Sequence, residues 1–129
     1  MNRRTAKDLL HIRDWLDRVE LILQAGRDAY DADPLTQEAG DALMMKIGEA
    51  ASRLSRSGVV PPKGVSWSDG IANRNWLIHQ YDMIDRDITW ATLQNDLPAW
   101  QAALAATFDE ASVVLSESTT NSDAHTLQA

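Results

Sequence analysis

The sequence predicts an all-α protein, an up-and-down bundle of about five helices, and three observations carry that reading. Apolar residues return at three- and four-residue steps through most of the chain. No segment shows the two-residue alternation of a half-buried strand. Proline, glycine and capping residues fall between the periodic stretches, where helices must stop and start.

The first helix is predicted from Thr5 to about Tyr30, on the spacing of Leu9, Leu10, Ile12, Trp15, Leu16, Val19, Leu21, Ile22 and Leu23 between charges. Asp33 offers an N-cap and Pro34 a first helical residue for the second, which continues through Leu43, Met44, Ile47, Ala50 and Leu54. Ser57-Gly58-Val59-Val60-Pro61-Pro62-Lys63-Gly64 ends it, because paired prolines and flanking glycines exclude helix and make a loop. Serines in Val65-Ser66-Trp67-Ser68-Asp69 are caps for a third helix that carries Arg74 to Tyr81 and ends near Tyr81 or Asp82. Asp85 to Leu93 reads as a short helix, and Asn95-Asp96-Leu97-Pro98 restarts the chain into a last one bearing Trp100, Leu104, Phe108 and Leu115. Residues 1–115 form one domain, and the polar stretch 116–129 reads as a disordered tail with few apolar anchors.

With 129 residues the chain is long enough for one core and too short for two. Hydrophobic residues at 44% against 24% charged exclude wholesale disorder, and no apolar run is long enough to span a bilayer, which predicts a cytoplasmic protein off the membrane. The absence of cysteine removes disulfides, thiolate nucleophiles and thiolate metal sites together. A net charge of −7 repels phosphate backbones, so general nucleic-acid binding, and DNA binding with it, is disfavoured; locally converging basic groups can still hold RNA, and a basic protein is an alternative partner.

Against that background one segment gathers functional groups. Arg74, Asn75, His79 and Tyr81 lie within eight residues of one predicted helix, and the other two histidines, His11 and His125, have no comparable neighbours. At about 100° per residue Asn75 stacks with His79 and Arg74 with Tyr81, while Arg74 and His79 diverge around the axis unless the helix ends or bends near His79. A two-fold pair of such helices would instead set two guanidiniums and two imidazoles across one cleft. Such a set suits metal-free RNA cleavage: one imidazole takes the 2′-hydroxyl proton, another protonates the leaving 5′-oxygen, and guanidinium neutralises phosphate charge. The plain alternative, which spacing alone favours, is Arg74 paired with Asp82 or Asp69, a solvated Asn75 and a half-buried structural His79. Glu49 beside Gly48 is a weaker lead to the same cleft, Gly48 being a position where another backbone can approach closely. Trp15, Trp67, Trp76, Trp90 and Trp100 sit at helical or cap positions and read as core or interface anchors before base-stacking platforms.

Arg74-Asn75-Trp76-Leu77-Ile78-His79-Gln80-Tyr81 resembles the R-N-x-x-x-H-x-Y motif of the HepT-like branch of the HEPN superfamily. Ile47-Gly48-Glu49-Ala50-Ala51 resembles the I-G-E-A segment of that branch, Trp67 with Ile71 its approach to the motif, and Asp85 to Trp90 with Asp96-Leu97-Pro98 its following helices, so the likeness spans roughly residues 5 to 115. Asn73 departs from it, standing where an apolar Met is usual.

The resemblance implies a HEPN-like bundle that dimerises through the motif face. It also implies a toxin of a type VII-like toxin-antitoxin system, a metal-independent endoribonuclease that needs no cofactor and acts on tRNA or mRNA. Arg74, Asn75 and His79 would be its catalytic residues. The chain would be a homodimer, alone or within a larger hetero-oligomer, and its cognate minimal nucleotidyltransferase antitoxin would transfer AMP to Tyr81 and block the cleft with bulk and charge. The alternative in the same setting is a non-catalytic accessory subunit that binds substrate for a nucleotidyltransferase.

Overall fold

A computed structural model describes the backbone of residues 1–80 and 82–128 and the side chains of residues 1–80 and 82–117. Among the described residues the chain forms six α-helical segments and one π turn, with no strand. The predicted tail, 116–129, falls almost wholly beyond the described side chains.

Helix α1 (Arg3–Ala25) begins where the Asn2 side chain accepts a hydrogen bond from the Thr5 N–H at 2.8 Å. Its stripe of Leu9, Ile12, Leu16 and Val19 is buried, each such side chain stabilising the fold by about 1.5–3 kcal/mol. The predicted run to about Tyr30 is divided at Gly26, whose φ of +91° suits only glycine, and the chain resumes as α2 (Arg27–Ala32), which buries Tyr30.

Asp33 caps α3 (Pro34–Arg56), accepting from the Leu35 N–H at 3.0 Å and the Thr36 hydroxyl at 2.8 Å. Arg53 near the end of α3 pairs with Asp8 near the start of α1 at 3.1 Å, so the two helices run antiparallel. Gly58, at φ +74°, ends α3 and lets the Val59 N–H donate back to the Leu54 carbonyl at 3.0 Å. The loop that follows is fastened by the Trp67 indole N–H, which donates to the Val59 carbonyl at 2.9 Å while its ring meets Trp100 edge-on.

Helix α4 (Trp67–His79) packs chiefly on α3. Ser66 occupies its N-cap, but the hydroxyl bonds the Ser68 hydroxyl at 2.7 Å and not a backbone N–H. Asp85 caps the short α5 (Arg86–Ala91) through the Asp87 and Ile88 N–H groups. A break between α5 and the last helix is not observed. The π turn Thr92–Asp96 carries the chain directly into α6 (Leu97–Gln128). Pro98 explains this register change, since it has no N–H for the Gln94 carbonyl and its ring needs room there.

Helix α6 runs antiparallel to α1, with Gln101 bonded to Asp17 at 2.9 Å and Arg13 to Ser112 at 3.3 Å. At the other end Arg86 forms a two-pronged bond with Asp41 at 2.8 and 3.0 Å and donates to the buried Tyr30 hydroxyl at 3.1 Å, fastening α2, α3 and α5. No helix among the described residues is long and apolar enough to cross a membrane.

Candidate active site

Helix α4 buries only Trp67 and Leu77, and half-buries Gly70, Ile71, Asn73, Arg74 and Trp76. Its remaining face, with Asn75, Ile78 and His79, is exposed. A helix so weakly divided into apolar and polar sides is held by its fit against α3 and Trp100, and its polar side chains are available for other work.

The guanidinium of Arg74 donates to Asn75 Oδ1, from Nη2 at 3.1 Å and from Nε at 3.4 Å. An ion pair of Arg74 with Asp69 or Asp82, the plain alternative read from spacing, is not found among the described residues. Accepting through Oδ1 leaves the two N–H groups of the Asn75 amide for an acceptor such as a phosphate oxygen.

His79 is the last residue of α4, two or three residues earlier than the sequence places the helix end. The Gln80 N–H closes the helix on the Trp76 carbonyl at 3.0 Å, and the Met83 N–H turns the chain back onto the Gln80 carbonyl at 2.8 Å. Among the described residues no hydrogen bond joins His79 to Arg74 or Asn75, and its imidazole is exposed. Tyr81, the expected modification position, lies outside the described residues. Ile78, 47% exposed, and Met83, 85% exposed, set apolar surface around this polar group.

Of the other sequence leads, Gly48 is buried under α4 and Glu49 is exposed on α3. His11 stacks on Trp15, 5.6 Å between ring centroids, on α1. Trp67, Trp90 and Trp100 are buried and Trp15 and Trp76 half-buried, as anchors would be. Among the described residues no three His, Asp or Glu side chains gather as a metal site would require.

Sequence reasoning missed a cavity of about 300 Å³ between α3, α4 and the start of α6, whose wall includes Met44, Ile47, Asp69, Asn73, Asp96 and Trp100. Asn73, the polar residue where Met is usual, faces this cavity. Only the packing of three separated segments reveals it, so periodicity within one helix gave no signal.

The model of a protein family described as ribonuclease HepT-like matches residues 12–107, which takes in α2 to α5, most of α1 and the start of α6. No solved structure matches the chain significantly.

Proposed function

The chain belongs to the HepT-like ribonuclease family, and from that premise we propose that it is the ribonuclease toxin of a toxin-antitoxin pair, cutting RNA without a metal at a cleft shared by two copies. The observation that carries this reading is the state of the motif. Among the described residues the Arg74 guanidinium hydrogen-bonds its neighbour Asn75 and forms no ion pair, and both Asn75 and His79 stand at the surface towards the end of α4, so no described internal ion pair consumes these polar groups.

Arg74 and Asn75 supply a cation and amide donors to one phosphate, and these stabilise the charge that grows on its oxygens. His79 takes the 2′-hydroxyl proton as the 2′-oxygen attacks phosphorus. The 5′-oxygen leaves with a proton from the partner subunit's His79, giving a 2′,3′-cyclic phosphate and a 5′-hydroxyl. Both imidazoles are needed because one group cannot be base and acid in the same step. The pairing of copies is supported by Ile78 and Met83, exposed apolar side chains beside the motif that a second α4 would cover. RNA is the substrate and a nucleotidyltransferase antitoxin the partner. AMP transfer to Tyr81 silences the site by adding bulk and negative charge where the substrate phosphate must sit.

The test is cleavage of total RNA by the purified protein in EDTA, beside His79→Ala, with mapping of the ends and mass spectrometry of Tyr81. Cyclic-phosphate ends lost in the variant are expected. Intact RNA after incubation with folded wild type that carries no AMP would overturn the reading.

A further inference from the structure

We infer that Gly48 is a positioning residue for Arg74: by having no side chain it sets how closely α4 seats on α3 and therefore where the guanidinium reaches. The inference rests on the reading of Arg74 as the group that neutralises the substrate phosphate.

A Cβ placed on Gly48 would lie 2.5 Å from Arg74 Cβ and 2.7 Å from the Gly70 carbonyl oxygen. Neither atom can swing aside through a side-chain torsion, since a Cβ and a carbonyl move only with their backbone. Ordinary contact begins at 3.4 Å, so α4 would have to withdraw by roughly 1 Å. A second glycine is as tightly seated, because a Cβ on Gly70 would lie 2.8 Å from Trp100 Cη2 and 3.4 Å from Ala51 Cβ, the latter on α3. The helix thus rests on α3 and the Trp100 ring through two glycines, and Arg74 springs from the point of closest approach. Gly40, on the same helix α3, behaves differently: a Cβ there meets Leu93 Cδ1 at 3.3 Å, the movable end of a side chain.

A tightly packed glycine could serve stability alone, so the test must read more than folding. Gly48→Ala, Gly70→Ala and the control Gly40→Ala are compared with wild type for single-turnover cleavage and for binding to a 2′-O-methyl RNA that cannot be cut. Gly48→Ala should slow cleavage about 100-fold, the penalty of misplacing a catalytic group by about 1 Å, while Gly40→Ala stays within about threefold. Gly48→Ala should weaken RNA binding in the parent yet change it less than about twofold in an Arg74→Ala background, because its effect travels through Arg74. A folded Gly48→Ala that cleaves within about threefold of wild type, or whose binding loss adds in full to that of Arg74→Ala, would overturn the inference. If Gly48→Ala does not fold, Gly70→Ala, which unseats the same helix against Ala51 and the buried Trp100 ring, carries the same prediction and its full activity would overturn it. Wild type that cuts no RNA would sink the ribonuclease reading; the seat is then judged by amide chemical shifts of residues 70–79, where disturbance by Gly48→Ala but not Gly40→Ala upholds it and no disturbance refutes it.

Discussion

Arg74 and Asn75, adjacent on α4, are joined by a hydrogen bond from the guanidinium to the amide oxygen, 3.1 Å from Nη2. The bond fixes the fork of Arg74 and turns the donors of Asn75 to other use. Asn75→Ala should therefore lower single-turnover cleavage about tenfold, the worth of one hydrogen bond to a charged group. Asn75→Asp should fare worse, at least about 100-fold down, because a carboxylate beside the guanidinium cancels its charge and repels the phosphate. An Asp variant that cleaves as well as wild type would remove Asn75 from the site.

The clasp of Arg86 on Asp41 and Tyr30 shares no hydrogen bond with Arg74, Asn75 or His79 among the described residues and should affect stability only. Asp41 hydrogen bonding pushes the guanidinium pKa further up, so Arg86 stays charged at any pH where the protein folds. Asp41 is only 15% exposed, and Arg86→Met would leave its carboxylate without a counter-ion. We expect a loss of about 2–4 kcal/mol in denaturant unfolding, discounted for the partial exposure of the pair, with cleavage at low temperature unchanged. Unchanged stability would mean that water satisfies Asp41 as well as Arg86 does.

Most helices were legible because their signals are local. Asp33-Pro34 starts α3 and Ser57-Gly58 ends it, as the chemistry of caps requires. Gly26 shows the limit: a lone glycine inside a periodic stretch is compatible with continued helix, yet here its φ of +91° breaks the run and leads into α2, where Tyr30 bonds Thr89 and Arg86. The join of α5 to α6 departs from the expected break for a similar reason. Pro98 signals a helix start, yet a π turn absorbs the same missing N–H without a break. At the site, residue types were visible in the sequence, but the Arg74–Asn75 bond, the helix end at His79 and the seat on Gly48 depend on rotamers and on contacts between α3 and α4.

The cap at Asp33 predicts a pH effect of definite sign. Its carboxyl is held below the ordinary value of 3.8 by the Thr36 hydroxyl and then by the Leu35 N–H, so folding favours the ionised form. The contribution is whole above the ordinary value and fades as pH falls through the lowered one. Asp33→Asn keeps an acceptor for the cap without the titration. The stability difference between wild type and Asn should shrink as pH drops from about 6 to about 2 in denaturant titrations. A difference that stays constant would show that the charge at position 33 plays no part.

Tyr81 separates the toxin reading from an accessory role. Tyr81→Phe has no hydroxyl to accept AMP, so it should cut RNA as wild type does and should resist silencing when incubated with the nucleotidyltransferase and ATP. Normal silencing of the Phe variant would show that neutralisation proceeds by occlusion or at another residue.

Mixed dimers decide whether the cleft is shared. On spacing, Arg74 and His79 diverge around the axis of α4, and no hydrogen bond joins them. If each chain worked alone, a dimer of Arg74→Ala with His79→Ala would have no complete site and would be as inactive as either homodimer. If both copies serve one phosphate, the mixed dimer retains one guanidinium and one imidazole at a common cleft; it loses one of two cations and one of two proton-transfer roles, the latter a factor of about 100 to 10,000. His79→Ala homodimers lose both roles, and Arg74→Ala homodimers lose both cations. Separately tagged copies, purified through both tags, should therefore cleave faster than either homodimer. Activity no higher than the homodimers would place the chemistry within single chains.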